Sequence, residues 1–438
     1  MRSHLLNVLG LLGMAACGNE IMAPGLYDRR VTIADDGDRD GGDSGPSGGD
    51  PAPGDTSPPT PIVTALVAAS AVTQSAFAGA EVDDAPAVFV RDQFGNPMAG
   101  QAVHFTLEAG GGVLDPAFVT TDAQGRATVT TWALGKRVAP NQVRARLDSA
   151  PAIAPVTFDA TILTDYTITV RFLTSVTTSQ RAAFENAAAR WSAVIVGDLE
   201  NFQISRSQLP FGCARDTADT TLISVDDTII FASVQPIDGQ GGILAQAAPC
   251  AQHDLGGIAV GVMSFDSDDL EFLESNNVLE GTILHEMGHV VGIGSLWAIN
   301  GLVISPSIGS PGANTRFTGD DAAQAFVDIG GTGFTGTVPV ENNGVAGSAD
   351  AHWRESIFSN ELMSPAISGM EPSLPMSAVT VASLRDIGGY EINDLAADTF
   401  AIVQALTAAG PQPPPLGECH VVSPSEEHPL GGGLVELR

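Results

Sequence analysis

The sequence predicts a multidomain chain in which an all-β sandwich precedes a mixed α+β domain, and three observations carry that reading. Apolar and polar residues alternate with period two between about Ile62 and Leu163. From about Thr164 to Ala408 the order runs strand, helix, strands, then a helix bearing paired histidines. A stretch of Gly, Pro, Asp and Ser sets both apart from the N-terminus. The 438 residues suit two or three domains, and 44% hydrophobic residues suffice for at least one sizeable core. The formal net charge is −32, from 51 acidic against 19 basic residues. Such a surface repels phosphate backbones and argues against a nucleic-acid partner, while saying little about fold.

At the N-terminus, Arg2 precedes an apolar stretch from Leu5 to Leu12, too short to span a bilayer as a mature helix. Met14-Ala15-Ala16-Cys17 follows and resembles a bacterial lipobox, in which small residues precede the cysteine that receives lipid. Residues 1–17 are therefore expected to be a lipoprotein signal, with Cys17 the lipid attachment and membrane anchor, placing the chain at the bacterial envelope, at the outer membrane or cell surface. A plain secretory signal with an incidental cysteine leads equally to export. No later stretch is long and apolar enough for a transmembrane helix. Residues 18–61 read as a flexible acidic linker; the run Asp35, Asp36, Asp38, Asp40 and Asp43 suits a solvated tether better than a calcium loop.

In the region 62–163, Val103, Phe105 and Leu107 alternate with His104, Thr106 and Glu108, which turns one set inward. Ala127, Val129 and Thr131 repeat the pattern, as do Val143, Ala145 and Leu147. Turn signals at Gly95-Asn96-Pro97 and Asp122-Ala123-Gln124-Gly125 separate the runs at short intervals, as in a β-sandwich. The segments Val90-Arg91-Asp92-Gln93-Phe94-Gly95-Asn96-Pro97 and Thr121-Asp122-Ala123-Gln124-Gly125-Arg126-Ala127 resemble the bacterial Ig-like repeats of invasin- and intimin-type surface proteins. That resemblance implies a spacer or adhesive module without chemistry of its own. The segment contains no cysteine, and His104 falls on an outward position where a surface histidine is expected.

The region 164–408 opens with a strand, Tyr166 to Phe172, and a helix from near Thr178 whose Phe184, Ala187, Ala188, Trp191 and Ile195 share one face. Strands are expected at Thr228 to Val234 and Ile258 to Phe265, then a helix from about Val278, with Asn277 as N-cap and Glu280 completing a capping box. Export makes a disulfide between Cys213 and Cys250 the natural pairing, with a pairing that includes Cys419 left open. Residues 409–438, rich in Pro and Gly, read as a flexible tail.

The last of these helices carries His285-Glu286-Met287-Gly288-His289. Residues four apart lie on one helix face about 6 Å apart, so two imidazoles can bind one zinc ion. Glu286, next to the first ligand, can take a proton from water activated by the metal. A catalytic zinc wants a third protein ligand. Where short-spaced zincins place a histidine after the helix-ending glycine, here Gly292, this chain has Ser295, a poor ligand.

A stretch 63 residues past His289 resolves this: His352-Trp353-Arg354-Glu355-Ser356-Ile357-Phe358-Ser359-Asn360-Glu361-Leu362-Met363-Ser364-Pro365. It resembles the leishmanolysin family of metzincin peptidases, in which an insertion separates the helix motif from the third histidine and a methionine turn follows. The resemblance covers about Thr164 to Phe400, including Leu384-Arg385-Asp386-Ile387-Gly388-Gly389-Tyr390. It implies His285, His289 and His352 as ligands of one Zn2+, Glu286 as catalytic base and Met363 as the apolar floor beneath the metal. The fold class implied is an Ig-like sandwich followed by an α+β zincin (metzincin) domain, the activity a zinc endopeptidase, and the partners protein or peptide substrates.

By analogy with other zincins, Ile258 to Phe265 would be the edge strand on which substrate aligns. Asp266, Asp268 and Asp269 read as a solvated acidic turn rather than a calcium site. Tyr390 suits packing better than an approach to the metal, and His253, His420 and His428 read as surface residues. Two competing functions stand beside the peptidase: a non-catalytic surface adhesin that keeps the fold for binding, and a zinc hydrolase acting on something other than protein. An intact Glu286 argues against the adhesin, which has no need of a base.

Overall fold

Alternation along the first folded region becomes two facing sheets in the computed structural model, which describes residues 59–310, 312–344, 347–366 and 374–402 and the backbone of 418–421 and 435–436. The expected signal, Cys17 and nearly all of the acidic linker lie outside the described residues. One sheet has the order Val63–Ala68, Ala87–Asp92, Arg126–Thr128; the other runs Thr73–Ala76, Val156–Ile162, Asn141–Leu147, Ala102–Ala109, Phe118–Thr120. Of the inward sets that the period-two pattern selects, Val103, Phe105, Ala127, Val129, Val143, Ala145 and Leu147 are buried, with Phe158 and Trp132, while Leu107 is partly buried and at Thr131 the alternation fails, Trp132 taking the buried position. His104 is partly buried, stacked on Phe118 with ring centroids 4.1 Å apart and bonded to the Arg146 guanidinium.

The mixed domain is organised by a sheet of its own. Its strands are β1 (Ile168–Phe172), β2 (Thr228–Gln235), β3 (Ile243–Gln252) and β4 (Ile258–Asp266), with helix α1 (Thr178–Ser192) between the first two. The spatial order is β1-β2-β4-β3, the first three parallel and β3 antiparallel to β4. All nine residues of β4 are buried. The strand expected at the edge is therefore interior: β2 and β3 flank it, because the longer β3 folds back from it through a tight turn at Gly256-Gly257. Beyond β3 lie β5 (Glu418–Val421) and β6 (Val435–Glu436), both parallel to it, so part of the tail read as flexible joins this sheet. A disulfide links Cys213 to Cys250, which lies in β3; closing a loop with 37 positions of separation contributes about 4 kcal/mol in the chain-entropy account.

Helix α2 (Leu270–Ser275) leads into α3 (Leu279–Val290), which packs against α1, β3 and β4. Asn277 is not the N-cap of α3. It sits at φ +57 in the turn after α2, a left-handed position that Asn tolerates, and Val278 precedes α3 without a side-chain cap. Glu280 is instead drawn to Arg137 of the sandwich and to Asn186 of α1. The sandwich and the mixed domain meet further at Val138 N–H to Ala189 O (3.1 Å), Asn393 Nδ2 to Ala78 O (2.9 Å) and Lys136 Nζ to Ala397 O. Buried side chains of both join one apolar cluster, and the mixed domain holds a second, smaller one around Cys213, Cys250, Phe231 and Val260. No helix among the described residues is long and apolar enough to cross a membrane.

Candidate metal centre

Helix α3 ends where Gly292 takes φ +114, a conformation that L side chains rarely adopt; a Cβ there would also meet Leu296 Cδ1 at 2.8 Å. The chain then turns so that the Ile293 carbonyl lies 2.9 Å from His289 Nδ1 and Ser295 Oγ donates to the His289 carbonyl (2.6 Å). Ser295 thus braces the helix end.

After this turn the chain makes an excursion through α4 (Asp320–Asp328) and a small sheet of Val303–Ile304, Arg316–Phe317 and Val338–Pro339. Asp350, at φ +65, pins the excursion by accepting from Ser307 N–H and Oγ, Ile308 N–H and Thr315 Oγ1. His352 is then fixed by its backbone, since Glu341 N–H donates to its carbonyl (2.8 Å) and Trp353 N–H to the Met363 carbonyl (3.0 Å). The Trp353 ring is wholly buried against Trp297 at 4.4 Å and donates through Nε1 to Thr380 Oγ1 (2.8 Å) of α6 (Ala378–Ile387), the helix that follows the short α5 (Glu355–Phe358).

These supports bring three imidazoles together. The Nε2 atoms of His285, His289 and His352 lie 2.9, 3.0 and 3.2 Å apart, and all three residues are wholly buried. Each Nδ1 faces a backbone carbonyl: His285 that of Leu362 (2.6 Å), His289 that of Ile293 (2.9 Å), His352 that of Ser348 (2.8 Å). With the protons held on Nδ1, three Nε2 lone pairs converge on one point, which suits a cation. Zinc–nitrogen bonds of about 2.0–2.1 Å imply tetrahedral edges of about 3.3 Å, close to the observed triangle. Burial pushes His285 down to about 4, so its imidazole is neutral at pH 7, the form that binds metal. Glu286, adjacent on α3, is likewise wholly buried.

Met363 is wholly buried against α3, beside Gly288. A Cβ on Gly288 would fall 2.6 Å from its sulfur and 3.1 Å from the Trp191 ring. Gly288 therefore lets the helix sit on the methionine, and a mid-helix glycine, which costs about 1 kcal/mol in propensity, was the sequence signal for that close approach. Glu361 is a second residue that motif reading passed over. Its wholly buried carboxylate accepts from Met363 N–H (2.6 Å), Ser377 N–H (2.9 Å) and Thr380 Oγ1 (2.5 Å), tying the methionine turn to α6; burial raises its pKa. Burial, reinforced by the Glu341 carboxylate, pushes Glu355 up to about 7.

Other residues fall elsewhere. Tyr390 packs as expected: its hydroxyl accepts from Ile258 N–H (2.8 Å) at the start of β4. His253 is buried, not exposed, because its Nε2 is held 2.8 Å from the Asp227 carbonyl. Of the acidic residues in the turn after β4 only Asp268 is exposed; Asp269 is buried, and Asp266 is wholly buried and accepts from the backbone of Ile237, Asp238, Gly239 and Asp268, stitching two loops together. The positions of Cys419 and His420 are in β5.

The family model for leishmanolysin matches residues 213–409, and that for the bacterial Ig-like domain (group 1) matches residues 67–161. The ciliated left-right organizer metallopeptidase of Xenopus laevis is 26% identical over 183 residues, 37% of this chain and 24% of the relative, so the match spans about a quarter of that protein's length. Among solved structures, the D0–D1 domain of intimin is 26% identical over 23% of this chain and 46% of its own, with a TM-score of 0.16. The Yersinia pseudotuberculosis adhesin InvE is 20% identical over 37% of this chain and 49% of its own, with a TM-score of 0.20. The chain thus resembles the leishmanolysin metallopeptidases, preceded by a bacterial Ig-like domain, and its fold class is a β-rich Ig-like region followed by a mixed metallopeptidase domain.

Proposed function

We propose that the chain is a zinc-dependent endopeptidase of leishmanolysin type, working outside the cytoplasm at the cell envelope. The observation that supports it most is the triangle of Nε2 atoms 2.9–3.2 Å apart, each imidazole oriented by a backbone carbonyl on its other nitrogen. His285, His289 and His352 would hold the metal, and Met363 would close the apolar floor beneath it. When bound, zinc supplies Lewis-acid polarisation of the scissile carbonyl and of the attacking water. Glu286 would be the group that accepts a proton from the attacking water and passes it to the departing amine. The buried imidazoles keep their lone pairs directed inward, so the donors need no reorganisation when the metal enters.

The export signal, the lipid on Cys17 and protein or peptide substrates belong to the same proposal. The Ig-like domain and the disulfide between Cys213 and Cys250 support a location outside the reducing cytoplasm.

The test compares the full chain with Glu286→Ala on an unfolded protein substrate. Both should hold about one zinc per chain, and the variant should cleave roughly a hundred- to ten-thousandfold more slowly. Cleavage by the full chain should stop with a chelator and return with zinc. Equal cleavage by the variant, or none from the zinc-loaded full chain, would favour the binding protein over the peptidase.

A further inference from the structure

We infer that the C-terminal strand β5 is an intramolecular inhibitor, seated on the sheet edge that a polypeptide substrate would need. This rests on the peptidase reading above. Three features of the molecule lead to it.

First, β3 is the outermost of the four strands on the side of the histidine helix. It is bonded to β4 along one margin, and α3 packs against it, while the opposite edge of the sheet, β1, is separated from β3 by two strands. An extended peptide recognised by strand addition has to reach an open backbone edge near the reacting groups. Among the described residues the outer margin of β3 meets that need, since β4 is paired on both sides.

Second, that margin is already taken. β5 pairs with it in parallel, Ile243 opposite Glu418, Ala245 opposite Cys419, Gln246 opposite His420 and Ala247 opposite Val421, and β6 continues along it at Ala251 and Gln252. β5 also packs beside α3, the helix of His285 and His289.

Third, the centre is closed. His285, Glu286, His289 and His352 all have 0% exposure, although a peptide bond must reach them for cleavage to occur. The intact chain should therefore turn over only in the fraction of molecules whose tail has lifted.

The test uses the full chain with a recognition sequence for a site-specific protease inserted after Gly410, cut after folding and separated from the released tail. Two readouts are taken on the zinc-loaded protein before and after cutting: amide hydrogen exchange in residues 243–252, and cleavage of fluorescent casein. Release should accelerate exchange in residues 243–247 at least tenfold and raise casein cleavage at least tenfold, with zinc content unchanged. A synthetic peptide of residues 415–424 added back should reverse both. An uncut full chain with His420→Pro and Val421→Pro, which removes backbone donors from β5, should be as active as the released enzyme. Unaltered exchange after release, or equal casein cleavage by cut and uncut chains, would overturn the inhibitory role. Faster exchange with no chelator-sensitive cleavage from either form would instead sink the peptidase reading and the inhibition with it.

Discussion

The Ig-like sandwich and the metallopeptidase domain share one apolar cluster, yet they hide different kinds of residue. Among the described residues, the sandwich buries only Asp92, Thr121 and Asn141 as polar side chains, and each is tied to its own turns or strands. The second domain buries His285, Glu286, His289, His352, Glu361, Asp227 and Asp266, together with many hydroxyls. Burying such groups is costly unless every one is hydrogen-bonded or holds a metal. The sandwich hides few polar side chains; the mixed domain buries many, and four of them, His285, Glu286, His289 and His352, lie on α3 or at the end of the excursion between Trp297 and Asp350.

That contrast can be broken or sharpened by substitution. The largest stability effect is expected in the sandwich: Phe105→Ala, at a wholly buried site, should cost about 3–5 kcal/mol in urea unfolding and leave zinc content untouched under native conditions. A loss of bound zinc in the folded variant would show that the two regions are not separable in this way. Glu361→Ala should cost somewhat less, about 3 kcal/mol, since it strands two N–H groups and a hydroxyl, but it should also weaken zinc binding by freeing the methionine turn. Stability lost without any change in zinc affinity would reduce Glu361 to a packing role. Arg137→Ala, which cuts the ion pair to Glu280 across the junction, should cost no more than about 1 kcal/mol, because both side chains are more than a third exposed. A larger loss would mean that the sandwich actively sets the position of α3.

The same contrast explains what was legible beforehand. Phe105, Val143, Ala145 and Leu147 could be assigned inward because side-chain direction in a strand is a local, period-two property. His285, Glu286 and His289 were equally local, four positions apart on one helix. His352 and Met363 were not; they were found through resemblance, because nothing local in a histidine 63 positions downstream says where its backbone returns. The readings that failed were non-local too. Strand order placed Ile258–Asp266 inside the sheet, and a tertiary partner, Arg137, took Glu280 away from a capping box that the local sequence favoured. His253 and Asp266 read as exposed from their polarity and are buried because backbone groups from other segments satisfy them.

The most direct measurement is the zinc affinity of the full chain beside those of His352→Ala and His253→Ala, two buried histidines of which only the first faces the triangle. Loss of one of three protein ligands should weaken zinc binding by at least a hundredfold in His352→Ala, while His253→Ala should bind as the unaltered chain does. If His352→Ala held zinc as tightly as the parent, the three imidazoles would not form a common metal site, and the assignment of the centre would fail.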